Sequence, residues 1–167
     1  TVAPHTIANY LSYMEDAFII EKSMRYDIKG RKYIGTLSKY YFQDVGLRNA
    51  LLNFRQVEET HIMENVIYNE LRSRGYSVDV GIVEARTALE RKLLEVDFVA
   101  NKGDKRYYIQ SAFALPDEEK RQQEMASLKR INDSFKKIII VREDIAPYYN
   151  EYGVLIIGLM DFLLGTN

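Results

Sequence analysis

Between Leu93 and Leu115 the sequence LLEVDFVANKGDKRYYIQSAFAL sets a carboxylate in the middle of one apolar run and an amide in the middle of the next. The two runs flank Asn101-Lys102-Gly103-Asp104-Lys105-Arg106, so the stretch predicts two antiparallel strands joined by a tight glycine-containing loop. Side chains alternate faces along a strand, which places Val96, Phe98 and Ala100 on one side and Glu95 and Asp97 on the other. On the second strand the same rule groups Gln110 with Ala112 and sets Ile109, Ser111 and Phe113 opposite. An acid facing a Q-x-A triplet on its neighbour has the layout of a divalent-metal phosphodiesterase site whose usual lysine position is vacant.

Other segments must position that hairpin. A helix is predicted from Thr60, as N-cap, to Arg74, with Gly75 closing it. Its winding gathers Ile62, Met63, Val66, Ile67 and Leu71 on an apolar arc with Glu64 at the margin. Glu64 there leans toward the packed side, although a carboxylate at such a margin is, taken alone, more often a solvated edge residue than a ligand. Tyr76, Val78, Val80 and Ile82 alternate as a strand, and Glu84 to Lys92 forms a charged link into the hairpin. Asp117 to Asp133 is a charged helix carrying Met125, Leu128 and Ile131. Lys136 to Val141 and Val154 to Leu159 are continuous apolar strands of the kind buried on both faces, separated by a loop with Pro147. Asp161 to Leu164 closes the chain as a short amphipathic turn. From Thr60 the order is helix, three strands, helix, strand, strand, an α/β arrangement with a mixed sheet.

The first 44 residues read differently. Residues 4 to 17 place Ile7, Tyr10, Leu11, Met14 and the following Phe18 at helical spacing, with Pro4 in the first turn and one buried face expected. Phe18 to Asp27 and Lys32 to Asp44 form a second hairpin around Ile28-Lys29-Gly30-Arg31. From Lys22 to Lys39 there are six Lys/Arg against Asp27, a net of +5 in a chain whose formal charge is −1. A helix followed by a basic ribbon is the back half of a winged helix-turn-helix: the helix, here bearing Asn9, enters the groove of DNA, and Lys29, Arg31 and Lys32 grip phosphate. The same residues would equally keep a solvated hairpin soluble.

With 167 residues, 47% of them hydrophobic and 28% charged, the chain has the makings of a folded domain rather than a disordered one. No apolar run is long enough for a membrane-spanning helix and no signal-peptide pattern opens the sequence, so a cytoplasmic location is expected. Zero cysteines and only two histidines, His5 and His61, exclude disulfides and leave little for a zinc site. The start at Thr1, almost directly in a helix, points to a fragment.

The motifs T-x-x-x-Y-L-x-x-x-E-D-A-F at Thr6 to Phe18, R-Y-D-x-K-G-R-K at Arg25 to Lys32, K-Y-Y-F-x-D-x-G-L-R-N-A-L at Lys39 to Leu51, M-E-N at Met63 to Asn65, E-V-D-F-V-A at Glu95 to Ala100, Y-I-Q at Tyr108 to Gln110 and G-V-L-I-I-G-L-x-D-F-L-L at Gly153 to Leu164 span nearly the whole chain. In this combination the sequence resembles the C-terminal domain of unknown function of predicted prokaryotic AAA+ ATPases. The resemblance implies residues 1–44 as the second half of a winged helix and residues 45–167 as a restriction-endonuclease-like αβββαβ domain. ATP would bind only a preceding domain, since no G-x-x-x-x-G-K-[ST] occurs here. It also implies that Glu64, Asp97 and Gln110 are similar to the helix acid, the strand acid and the Glu/Gln of PD-(D/E)xK nucleases, where Glu64 and Asp97 would be the Mg²⁺ ligands. Ala112 stands where active members carry lysine, and Lys120 and Arg121 are the nearest cations that could replace it. The expected function is therefore a non-catalytic module that contacts DNA or a protein partner, including a second copy of itself, and requires no cofactor. The alternatives are a Mg²⁺-dependent endonuclease with a migrated lysine and an interaction domain using the surface of the 13 tyrosines.

Overall fold

The computed structural model describes residues 3–55, 57–86 and 91–165. Among them a single eight-stranded mixed sheet runs in the order β2-β1-β3-β4-β5-β6-β8-β7. Helix α1 (Pro4–Asp16) leads into the ribbon β1 (Ile20–Asp27) and β2 (Lys32–Phe42), and α2 (Val45–Leu51) follows. Helix α3 (Glu59–Ser73) precedes the meander β3 (Ser77–Arg86), β4 (Arg91–Lys102) and β5 (Lys105–Ala112). The chain continues through α4 (Glu118–Leu128), β6 (Lys136–Val141), β7 (Tyr148–Tyr149), β8 (Leu155–Gly158) and α5 (Leu159–Leu164).

The sheet buries both faces. On one, Met63, Ile67, Tyr68 and Leu71 of α3 pack on Tyr41, Phe98 and Ile109, with Phe162 of α5 in the same cluster. On the other, Met125 and Leu128 of α4 pack on Val96, Val99, Tyr108 and Ile139. Burial on both sides explains why β6 and β8 are unbroken apolar runs. Helix α3 ends as the sequence predicts: Gly75 takes φ +82°, and the Tyr76 N–H donates to Leu71 O at 3.0 Å, closing a Schellman turn. Its start is Glu59 rather than Thr60, and its buried side is Met63, Asn65, Ile67, Tyr68 and Leu71, so Ile62 and Val66 are less buried than their hydropathy predicts. Helix α1 buries no residue fully; Ile7 is 50% and Tyr10 63% exposed, so the expected core face is open.

The basic ribbon does not stand apart. Arg25, Tyr26 and Asp27 of β1 pair in parallel with Val80, Gly81 and Ile82 of β3, and the Ser23 hydroxyl donates to Val78 O at 3.1 Å. The expected division after residue 44 is therefore crossed by the sheet itself. The expected charged link from Glu84 to Lys92 is mostly strand, since β3 runs to Arg86 and β4 resumes at Arg91; residues 87–90 lie outside the described ones. Two-residue Tyr148–Tyr149 forms a strand inside the predicted loop because it pairs with β8.

Strict alternation fails in β4, and the failure shapes the site. Gly81 pairs with Val96 and Asp79 with Val99, so Asp97 and Phe98 together face Val80 in a β-bulge. Val96 and Val99 consequently share the α4 face, whereas Phe98 and Ala100 lie on the α3 face. Gly81 makes the bulge possible: a Cβ there would sit 2.8 Å from Val99 Cγ2, 2.8 Å from Ile28 Cδ1 and 2.9 Å from Val96 Cβ. Gly81→Val should destabilise the fold by about 1–3 kcal/mol through overpacking, read as a lowered urea midpoint; an unchanged midpoint would mean that the bulge does not need the glycine.

Candidate functional site

The site is assembled where the edge strand β2 meets α3. Helix α3 is fastened to β2 by Asn65, whose side chain accepts from the Phe42 N–H at 2.9 Å and donates to Phe42 O at 2.7 Å. An edge strand offers such unpaired backbone groups, and a buried amide satisfies both at once. Tyr41 stacks on Tyr68 with ring centroids 4.0 Å apart and packs near Phe98. This clamp sets Glu64, beside Asn65, against the Lys39 and Tyr41 side chains.

Lys39 is the centre of what results. Its Nζ lies 2.8 Å from Glu64 Oε1, 2.6 Å from Glu95 Oε1 and 3.6 Å from Asp97 Oδ1. The Tyr41 hydroxyl donates to the same Glu64 oxygen at 2.7 Å, and Arg25 Nη2 pairs with Glu95 at 3.0 Å. Burial works against the Lys39 charge, but the neighbouring Glu64 and Asp97 carboxylates outweigh it and push its pKa up. Burial pushes the Tyr41 hydroxyl up as well, with Glu64 adding to the effect. Asp97 is raised from 3.8 to about 7, first by burial and then by Glu64, against the pull of Lys39 and a hydrogen bond from Ser111. Lys39 therefore stays an ammonium donor, while Asp97 is the group poised to exchange a proton near neutrality.

Glu64 and Asp97 thus meet as the motifs imply, and Gln110 adjoins them from the other side of the sheet. Pairing of β4 with β5 stops at Phe98 with Ile109, while β5 continues alongside β6 to Ala112. Across the seam that opens, the Asp97 N–H faces Gln110 Oε1 at 3.4 Å and the Ser111 N–H donates to Asp97 Oδ2 at 2.8 Å. Gln110 turns its amide nitrogen to Glu124 of α4 at 3.3 Å, and Glu124 holds Lys120 at 2.6 Å. Lys120 is committed to that ion pair and Arg121 is exposed, so neither cation proposed from the sequence reaches Asp97. Ala112 is buried in the apolar layer under α4. Lys29, Arg31 and Lys32 are exposed at and beside the ribbon turn, where Asp27 Oδ1 accepts from the Gly30 N–H at 2.9 Å; Asn9 is exposed on α1.

Sequence reasoning missed Lys39, Tyr41 and Arg25 and left Glu95 without a role. A usable signal was present: Lys39 and Tyr41 share a strand face by alternation, and a lysine on a face carrying a buried aromatic needs carboxylate partners. Glu95 and Asp97 stand two apart in just that way.

The fold and site together define an α/β protein with an acidic pocket bridged by its own lysine. Residues 1–58 match the family described as "Domain of unknown function (DUF8612)". Over 163 residues, 96% of the chain, it is 36% identical to a protein of Haemophilus influenzae described as "Uncharacterized protein", and spans 37% of that relative's length. No solved structure matches the chain.

Because Asp97 holds its proton more tightly folded than unfolded, it favours the folded state fully below pH about 4, and that contribution is lost as the pH rises through about 7. Asp97→Asn should remove this dependence. Urea unfolding from pH 4 to 8 should show the wild type falling relative to the variant by a few kcal/mol at most, at no more than about 1.4 kcal/mol per pH unit. Parallel stability curves would show that Asp97 titrates normally.

Proposed function

We propose that the chain is an accessory segment of a larger protein, a nucleic-acid-binding module on a nuclease-like scaffold whose catalytic centre has degenerated. One observation carries the non-catalytic half of this reading: the Lys39 ammonium stands among the three carboxylates that a divalent cation would need. Oxygen donors of this kind suit Mg²⁺, but a cation already bridges them, and no metal-holding group occurs among the described residues. The site as built does not fit the metal, and no hydrolytic step is assigned to it. The order α3-β3-β4-β5-α4-β6, with β5 and β6 parallel, supports the restriction-endonuclease-like reading of the core. The greater length of the Haemophilus influenzae relative supports the larger context, which the motif resemblance makes an AAA+ ATPase.

Binding rests on the exposed cations of the ribbon, which would displace counterions from phosphate. Replacing Lys29, Arg31 and Lys32 together by Ala should weaken binding of labelled DNA across sequences and flatten its salt dependence, by about 0.7–0.9 in slope per lost phosphate contact. Unchanged affinity in fluorescence anisotropy would end the binding reading.

A second reading has its own support, because Lys39 is an ammonium beside Glu64 and Asp97 brought from a different strand, as a migrated nuclease lysine would be. Thermal unfolding with Mn²⁺ separates the two. In the degenerate site the wild type melts alike with and without Mn²⁺, and Lys39→Ala, with its carboxylates unbridged, gains a Mn²⁺-dependent rise in melting temperature. A Mn²⁺-dependent rise in the wild type that Asp97→Ala abolishes, with plasmid nicking lost alongside it, would favour the enzyme instead.

A further inference from the structure

The ribbon turn is one wall of a larger groove. A cavity of about 760 Å³ opens on the α4 side of the sheet, bounded by Lys29 and Arg31 of the ribbon turn, by Lys105 and Arg106 after the β4–β5 turn, and by Lys129 and Arg130 after α4. Six cations from three segments distant in sequence converge there against Glu84, Asp104 and Asp133. Lys29, Arg31, Lys105 and Arg130 are exposed, and none forms an ion pair with a described residue. This contrasts with the Lys39 site, where the cations are consumed by neighbouring carboxylates.

The floor is aromatic. The Arg106 guanidinium lies 5.6 Å from the Tyr26 ring centroid and 5.4 Å from that of Phe135, and its Nε donates to Asn101 Oδ1 at 2.7 Å. Phe135 remains 39% exposed at the rim. The Arg106 guanidinium close to two rings, with Phe135 partly exposed, brings cationic charge and aromatic surface together, which is what unstacked bases and their phosphates require. A volume of about 760 Å³ is on the scale of a few nucleotides of one strand, and a duplex would keep its bases stacked and hidden from the rings.

Building on the binding reading above, we infer that this groove holds single-stranded nucleic acid, its phosphates on Lys29, Arg31, Lys105 and Arg130 and its bases against Arg106 and Phe135. The ribbon alone would not distinguish strand from duplex; the three-walled groove does.

The test is fluorescence anisotropy of short labelled homopolymeric DNA and RNA strands and of a matching duplex, using the intact chain. Lys105→Ala/Arg130→Ala removes two exposed cations far in sequence from the ribbon. Lys92→Ala/Arg121→Ala removes equal charge from exposed positions that do not line the groove. The groove predicts at least a tenfold loss of single-strand affinity in the first double variant, with the salt slope reduced by about 1.4, near-normal affinity in the second, and weaker binding of the duplex throughout. RNA or DNA preference identifies the strand. Equal losses in both double variants would reduce the effect to net charge, and tighter duplex binding would overturn the single-strand assignment. Loss confined to the ribbon variant would sink the groove yet keep the binding module; no binding by the wild type would end both.

Discussion

A carboxylate drawn out of water is tolerated only where something replaces the water it has lost, and near α3 the buried Asp97 and the half-buried Glu64 and Glu95 depend on the Lys39 ammonium. Transferring each ion out of water carries a penalty of several kcal/mol, while unit charges 4 Å apart attract by about 4 kcal/mol at an effective dielectric of 20. One ammonium within 3.6 Å of Glu64, Glu95 and Asp97 collects several such attractions, and Arg25 adds another at Glu95. Two cations against three acids leave one negative charge over, and Asp97, the most deeply placed, absorbs it by holding its proton toward neutral pH. The raised acid and the fixed lysine are two sides of one charge balance.

That balance reaches back into the fold. Lys39 is on an edge strand, which by itself would be free to shift, and it is held because Asn65 occupies the Phe42 backbone groups and Asn69 donates to Phe42 O at 3.0 Å. Glu64 and Asn65 are consecutive, so one turn of α3 both docks the strand and supplies the acid that its lysine needs. On the opposite side, the bulge brings Asp97 onto this face, and the parting of β4 from β5 leaves backbone N–H groups that Asp97 and Gln110 satisfy. Gln110 therefore has a structural task that accounts for its place in the seam without assigning it a ligand role.

The parts legible in the sequence were those set by local periodicity and local chemistry. The long helix with its closing glycine, the two hairpins and the apolar strands β6 and β8 follow from patterns spanning a few residues. The pairing of Glu64 with Asp97 was legible through the motifs. What escaped was set by contacts between distant segments. Nothing local to β1 says that it will pair with β3, and Gly81, 16 residues from Asp97 in sequence, looks unremarkable until Val96 and Val99 are seen to close over it. The lysine was sought downstream, in Lys120 and Arg121, because sequence proximity to Ala112 was the only guide; space brought it from 73 residues upstream, counting from Ala112 to Lys39.

Charge is disposed in opposite ways on the two faces of the sheet, and the contrast has functional meaning. Beneath α3 every described cation near the acids is matched, so the pocket has little capacity left for an outside ion and serves to lock strand to helix. Around the ribbon turn, by contrast, exposed lysines and arginines gather with few acids to match them, a state that lowers stability by mutual repulsion. In the proposed reading, the unmatched charge kept at the surface from three separate segments meets a ligand that supplies the counter-charge. If a nuclease ancestry underlies the scaffold, the proposed phosphate contacts lie away from the acid pocket, which would need a metal to tolerate phosphate, in a groove whose own side chains carry the required sign.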